Sequence, residues 1–417
     1  MTKRTRFERF SKNFVLALIT ITLILGLLEG AAFLWLKSQG LLVRPYQYFQ
    51  TISGYHVFKT TPGQPLWKEM KAHPDDPTTF VDGNGFFSDG PVLLRKAPDV
   101  YRIFIMGGSA AYGTGQFPPF AKVHRYREGN LSYRLGIAGQ LKRYLQAQRP
   151  DLRIEVINAA AVDRTLHQSM LYYLETVSRF SPDLLINLDG YNDLLYSLTS
   201  GRPYAELEMR LDFYIDLLNN ARAYRPHLMQ TMMLLYNRYL HPHINRRLKE
   251  RFLATDDLDH PRYNLAAYKP WEPAFIERSQ RLQQILNHYM AVLKADKVDL
   301  LFSLQPILYR QVNKTLSKIE DTMRRTLFSW NPNAPEQART PLILMSKYFF
   351  GHYLSQALQQ RVERQGYGFL DLNEEIRHLK RDVELYVDYC HFTPSGSRIV
   401  AEILGRKVLD RLPPPRS

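Results

Sequence analysis

The sequence predicts an α/β fold built on a parallel sheet with helices on both of its faces, and three observations predict it. Five short runs rich in branched and aromatic residues have the length of buried strands: Tyr101–Met106, Ile154–Asn158, Leu184–Asp193, Val298–Pro306 and Tyr367–Leu372. Segments of helical period lie between them, and strands that alternate with helices pair in parallel. The first and third runs end in glycine-containing turns, at the carboxyl ends of strands where open α/β sheets bind ligands.

Composition sets the outer bounds. A chain of 417 residues that is 45% hydrophobic has a sizeable core and suits one large domain with insertions. The formal charge of +15 would suit nucleic acid, anionic lipid or an acidic polymer. The lysines and arginines are spread along the chain without an RNA- or DNA-binding motif, so no nucleic-acid partner is expected. A single cysteine, Cys390, excludes an intrachain disulfide and a multi-cysteine metal cluster.

At the N-terminus, residues 1–13 form a basic tail with Lys3, Arg4, Arg6, Arg9 and Lys12. The apolar stretch 14–36 that follows is 23 residues long, enough to cross a bilayer with some tilt. The positive-inside rule puts the tail in the cytoplasm and everything after Lys37 outside it. Gly30-Ala31-Ala32 could pass for a signal-peptidase site, but the length of the apolar run favours an uncleaved signal anchor. Glu29 is expensive in hydrocarbon. Near the outer end of the span it could reach headgroups, stay protonated, or meet a polar group on a partner helix.

Residues 37–98 read as a membrane-proximal connector, rich in Pro, Gly, Asp and aromatics with little periodicity. Residues 99–414 form the expected main domain. A helix from about Leu131 to Gln148 follows the first strand, and one from about Leu166 to Phe180 follows the second, broken by Ser181-Pro182-Asp183. About a hundred residues, 194–297, then separate the third strand from the fourth, far more than a crossover needs. This insertion looks mostly helical and holds an apolar cluster, Met232 to Tyr236, beside the basic run Arg246 to Arg251. It fits a helical insertion packed on the sheet, a cap over the site, or a face resting on anionic lipid. His241 and His243 lack a third ligand at matching spacing and read as a loop pair.

Three stretches carry chemistry. Gly107-Gly108-Ser109 closes the first strand and presents Ser109 as a candidate nucleophile, although ordinary turns share the pattern. It matches neither a phosphate loop nor the G-x-S-x-G elbow. Near the C-terminus, Asp388 and His391 stand three apart just before Thr393-Pro394-Ser395-Gly396, which opens the last helix. An acyl-transfer serine needs a base to accept its proton, and that base needs a group to orient it, roles that His391 and Asp388 could fill. At the end of the third strand, the side-chain amide of Asn192 could stabilise an oxyanion beside the backbone N–H of Ser109.

With these residues in order, the sequence resembles the SGNH/GDSL hydrolase family over roughly Val100 to Leu412. GGSAAYG is similar to the first block, GYND to the third and DYCH to the last. The resemblance implies a three-layer α/β/α sandwich around a central parallel five-stranded sheet, and the N-terminal transmembrane helix is similar to that of bacterial membrane-tethered members, which places the chain in the inner membrane. It also implies Ser109, His391 and Asp388 as a triad. The oxyanion hole would be formed by Ser109, Asn192 and the residue at the second block's glycine position. Here that block reads VINAAAVDRT and puts Asp163 in the glycine's place. A backbone N–H survives that exchange, but a β-carbon restricts the turn and a carboxylate opposes an oxyanion's charge.

The function expected is a membrane-anchored, extracytoplasmic serine esterase or deacetylase acting on acylated glycan or a small ester, with the bilayer engaged through residues 14–36. An O-acyltransferase of an exported polysaccharide would use the same residues. The altered second block, Glu29 and the long insertion motivate a third reading, a catalytically silent assembly subunit of an envelope polysaccharide system. The proposed chemistry requires no metal and no organic cofactor.

Overall fold

A computed structural model of the chain describes residues 3–38, 50–53, 57–60, 80–81, 84–113, 132–161, 164–194, 227–235, 261–308, 316–317, 320–321, 340, 343–379, 383–387 and 389–414. Asp163, Asp388, His241, His243 and the basic run 246–251 lie outside the described residues. The chain divides into two compact units: Met1–Gln47 with Phe213–Arg251, and Tyr48–Asp212 with Phe252–Ser417. The stretch read as one insertion, 194–297, is thus shared between them.

The first unit contains helix α1 (Lys3–Ser38), within which Asn13–Ser38 is long and apolar enough to cross a membrane. Residues 13–28 are exposed along their whole length, whereas Ala32 and Leu36 near the end of the helix are buried. Glu29 is met within the chain by His227, the first residue of helix α5 (His227–Leu235).

The second unit holds the sheet. Strands β1 (Gln50–Ser53) and β2 (Val57–Thr60) form a separate antiparallel pair. The main sheet is built from β3 (Phe80–Val81), β4 (Phe87–Ser88), β5 (Val100–Gly107), β6 (Arg153–Asn158), β7 (Leu184–Asp189), β8 (Asp299–Leu304) and β9 (Gly368–Asp371). Their order is β3-β4-β6-β5-β7-β8-β9. Strands β6, β5, β7, β8 and β9 are parallel throughout, as expected. The two short antiparallel strands extend the β6 edge and come from the stretch read as connector, where two-residue strands leave no periodic trace.

The strands read at sequence level begin and end within a residue or two of those observed, except the third. It stops at Asp189 because Gly190 turns the chain at φ +111°, and a helical turn begins at Tyr191. Strand β7 is buried along its whole length, so side chains of both parities face packed layers. One layer contains helix α2 (Ser109–Tyr112) at the tip of β5 and helix α3 (Ile137–Gln148), shorter at its start than predicted. Residues 132–136 make a turn instead, in which Tyr133 donates its hydroxyl hydrogen to the Val156 carbonyl. Helix α4 (Leu166–Glu175) ends at Thr176, and a 3-10 turn, Val177–Phe180, finishes the segment predicted as one helix.

The layers also contain α6 (Glu272–Asp296), α7 (Ser355–Arg364), which continues a wider π-helical stretch, Met345–Leu354, and α8 (Pro394–Leu409). Helix α8 lies against α3, close enough that a β-carbon on Gly405 would run into the Tyr144 ring. Helix α6 lies against α4 and α7. The result is a three-layer α/β/α sandwich whose strand order reverses at β5, with β6 on one side and β7 on the other. That switch point is where a doubly wound sheet opens a crevice at its carboxyl edge, and β5 ends there in Gly107.

The end of the connector is also part of the core. Phe86 is fully buried and meets Phe104, Tyr172 and Phe180 edge-on at ring separations of 5.0 to 6.1 Å. Phe86→Ala is expected to lower the unfolding free energy of the sandwich by about 3–5 kcal/mol, read as a fall in the denaturant midpoint. A change within error would show that 84–98 does not close the core.

Candidate active site

The tip of β5 is shaped by contacts that leave no room for side chains at two positions. A β-carbon on Gly107, where φ is +134°, would run into the Leu188 carbonyl of the neighbouring strand. One on Gly108 would lie 2.5 Å from Asn192 Nδ2 and 3.1 Å from the Arg164 carbonyl oxygen. The two glycines therefore let three chain segments converge on the start of helix α2, whose first residue is Ser109. Asn158, at the end of β6, holds that helix from below by donating to the carbonyls of Ala111 at 2.9 Å and Tyr112 at 3.4 Å. Ser109 is consequently buried to 9% exposure on a fixed turn.

His391 reaches it from the far end of the chain. Its Nε2 lies 2.7 Å from Ser109 Oγ, a pair separated by 282 positions in sequence. An imidazole nitrogen at this distance can accept the hydroxyl proton as the oxygen attacks a carbonyl. The loop carrying His391 is closed on itself by the N–H of Val387 to the His391 carbonyl, at 2.9 Å, and by Thr393 to Leu385, also at 2.9 Å. Thr393 then caps α8, accepting from the Gly396 N–H at 2.9 Å, with Pro394 in the first turn.

Glu320, which sequence reading does not single out, holds the same loop. Fully buried, it accepts the N–H of Leu385 at 2.7 Å and of Tyr386 at 3.2 Å through Oε1, and that of Ser317 at 3.1 Å through Oε2. A buried carboxylate satisfied by backbone donors fixes the start of the loop that ends in His391.

Asn192, 8% exposed, stands on the turn after β7 and donates one amide hydrogen to the Arg164 carbonyl at 3.0 Å. Its neighbour Asp193 accepts from the N–H groups of Leu166 at 2.9 Å and Gly190 at 3.3 Å, tying this turn to the start of α4. The structure thus brings Ser109, His391 and Asn192 to one sheet edge. Asp163 and Asp388 keep only their sequence positions.

Beneath this edge lies a buried polar layer that the sequence does not advertise. Arg164 is 1% exposed, donates to the Ala159 carbonyl, and stacks its guanidinium 4.3 Å from the centre of the Tyr172 ring. Burial pulls its pKa down to about 10, opposed by the negative field of Tyr172 and Asp189. Asp189 accepts from Asn187 at 2.8 Å and Ser169 at 3.2 Å. Burial nevertheless raises its pKa to about 6, against the pull of those two hydrogen bonds and of Arg164.

No protein-family model matches the chain, and no curated protein does. Solved structures similar to it include a catalytic mutant of an acetylxylan esterase from Geobacillus stearothermophilus, at 14% identity and a TM-score of 0.36, covering 74% of this chain and 94% of that one. A lipase/acylhydrolase from Enterococcus faecalis is similar at 15% identity and a TM-score of 0.35, covering 76% of this chain and 100% of that one. An acetyl xylan esterase, AlAXEase, is similar at 12% identity and a TM-score of 0.35, covering 74% and 99%. At these values the likeness bears no weight on activity.

Two predictions follow from the buried carboxylates. Glu320→Ala strands backbone donors at about 1–3 kcal/mol each, so its thermal midpoint should fall well below that of Glu320→Gln, which keeps an acceptor; equal midpoints would remove Glu320 from the loop's support. For Asp189, the native value near 6 exceeds the ordinary 3.8, so between about pH 4 and 6 the native state holds the proton that the unfolded chain releases. Stability should therefore fall as pH rises through that window. Thermal unfolding of the full chain in detergent should show this slope relative to Asp189→Asn, and parallel profiles would exclude it.

Proposed function

We propose that the chain is a serine hydrolase of the SGNH/GDSL type that removes acyl groups from glycan or other ester substrates. The observation that carries this reading is the 2.7 Å approach of His391 Nε2 to Ser109 Oγ at the carboxyl edge of the sheet. Ser109 attacks the acyl carbonyl while His391 takes its proton, and the tetrahedral intermediate collapses as His391 returns that proton to the departing sugar oxygen. Water, deprotonated by the same imidazole, then attacks the acyl group on Ser109, and the proton passes back to Ser109 Oγ as that ester bond breaks and the acid leaves. Asp388, three positions before the base, is assigned to orienting it.

The oxyanion is assigned to the second amide hydrogen of Asn192 and to backbone N–H groups of Ser109 and residue 163. Gly108 supports this assignment, because its missing side chain lets the Asn192 amide approach the serine turn. The apolar helix at the N-terminus supports an anchored enzyme. The basic residues before it favour a cytoplasmic N-terminus with the sandwich outside the inner membrane.

The full chain in detergent is expected to hydrolyse a short-chain chromogenic ester and to be labelled by a fluorophosphonate probe. Ser109→Ala should abolish both. Asn192→Ala should lower kcat about 10²–10³-fold with a smaller effect on KM. Turnover by Ser109→Ala equal to that of the parent would rule out the serine mechanism.

A further inference from the structure

We propose that the chain meets the bilayer twice. Helix α5 (His227–Leu235) would lie in the headgroup and acyl boundary beside the outer end of α1, held there by Glu29, with its exposed face against phospholipid. The inference rests on reading α1 as a membrane anchor.

Along α1, residues 13–28 are bare, a length of about 24 Å at 1.5 Å per residue. The hydrocarbon core of a bilayer is about 30 Å thick, so Glu29 falls in its outer part, about 6 Å short of the headgroups. From that point one stripe of the helix is covered: Glu29 and Trp35 in part, Ala32 and Leu36 almost wholly. Steps of three and four place these residues on a single face.

A carboxylate at this depth is costly unless donors meet it. Glu29 Oε1 accepts the backbone N–H of His227 and lies 2.7 Å from His227 Nδ1, while Oε2 accepts the N–H of Leu228 at 2.8 Å. The first N–H groups of a helix have no partners within it and carry the positive end of its dipole. Buried near lipid, the carboxylate and the helix start would each be expensive, and together they satisfy one another. Phe33, one turn along α1, adds an edge-on contact to the His227 ring at 5.1 Å.

Among the described side chains of α5, the two that are exposed are apolar. Met232 is 62% exposed and Leu235 41%, three positions apart and so on one side of the helix. No Asp, Glu, Lys or Arg occurs in its nine residues. An apolar face beside a bare apolar span, within the same compact unit, extends one lipid-facing surface into the interface. The occupant that fits is phospholipid.

The test uses the full chain in vesicles of phosphatidylcholine and phosphatidylglycerol, with an environment-sensitive fluorophore on Met232→Cys or, in a second sample, on Leu25→Cys within the bare span. Both probes should be quenched by spin-labelled lipids and shielded from aqueous iodide, the Met232 site by the shallower label. Glu29→Ala should raise iodide quenching at Met232 several-fold without altering ester turnover, and Glu29→Gln, which keeps an acceptor, should raise it less. A lipid-quenched Leu25 probe with a Met232 probe open to iodide would overturn the proposal and leave the anchor standing. Two iodide-accessible probes would overturn both. A Met232 probe shielded from iodide and lipid alike would mean that protein covers the face, and would also overturn it. Unchanged quenching in Glu29→Ala would remove the carboxylate as the tether.

Discussion

Everything at the carboxyl edge of the sheet depends on how closely three backbones approach at the tip of β5. Leu188 from β7 fills the space where a Gly107 side chain would be, while Asn192 and Arg164 crowd the same position at Gly108. These contacts fix where Ser109 starts its helical turn. They also lie at the point where strand order reverses, because only there do the connections from β5 and its two neighbours leave in directions that open a cleft. The topology supplies the crevice, and the two glycines allow a hydroxyl and an amide to occupy it together.

The approach is held from beneath by groups buried at a cost. Arg164 and Asp189 are both almost fully removed from water, and burial works against each charge, lowering one pKa and raising the other. Charges buried in this way seldom add net stability compared with an apolar core of the same volume. Their value here is positional: the Arg164 carbonyl that takes the Asn192 amide belongs to the residue whose side chain is locked against Tyr172 and Ala159. An apolar side chain would fill the volume, but it would leave the carbonyl's direction to the loop alone.

The parallel strands were legible because each is a short run rich in branched and aromatic residues, the pattern of a sheet covered on both faces. Ser109, Asn192 and His391 were legible for a related reason, since each follows or precedes a local signal: Gly-Gly after β5, Gly-Tyr after β7, Thr-Pro before α8. Glu320 carries no such signal. Its partners are the backbone N–H groups of Leu385 and Tyr386, 65 and 66 positions away, and a main-chain donor leaves no mark on residue type. Asp189 and Arg164 are hidden differently, since charged residues of these types are mostly exposed and nothing in the sequence marks these two as buried. Strands β3 and β4 are too short to show a period of two. Glu29 drew notice as a carboxylate in an apolar run, yet nothing in the order of residues pointed to His227, almost two hundred positions on.

The pairing of Ser109 with His391 raises the question of how so distant a base is aimed. Strand β9 and helix α8 carry the chain back across the sheet, but a helix packed by its apolar face leaves the loop before it free to turn. Three ties remove that freedom: Thr393 caps α8 and bonds back to Glu384, the Tyr389 carbonyl accepts the N–H of Leu308 beyond the end of β8, and Glu320 grips Leu385 and Tyr386. The first joins the loop to its helix, the second to the sheet, and the third to a separate buried acid. Because they act on opposite ends of a loop only a few residues long, these contacts fix the main chain that carries the imidazole. Small errors in the packing of α8 therefore need not reach the serine, whose own position is fixed by contacts at the other side of the cleft.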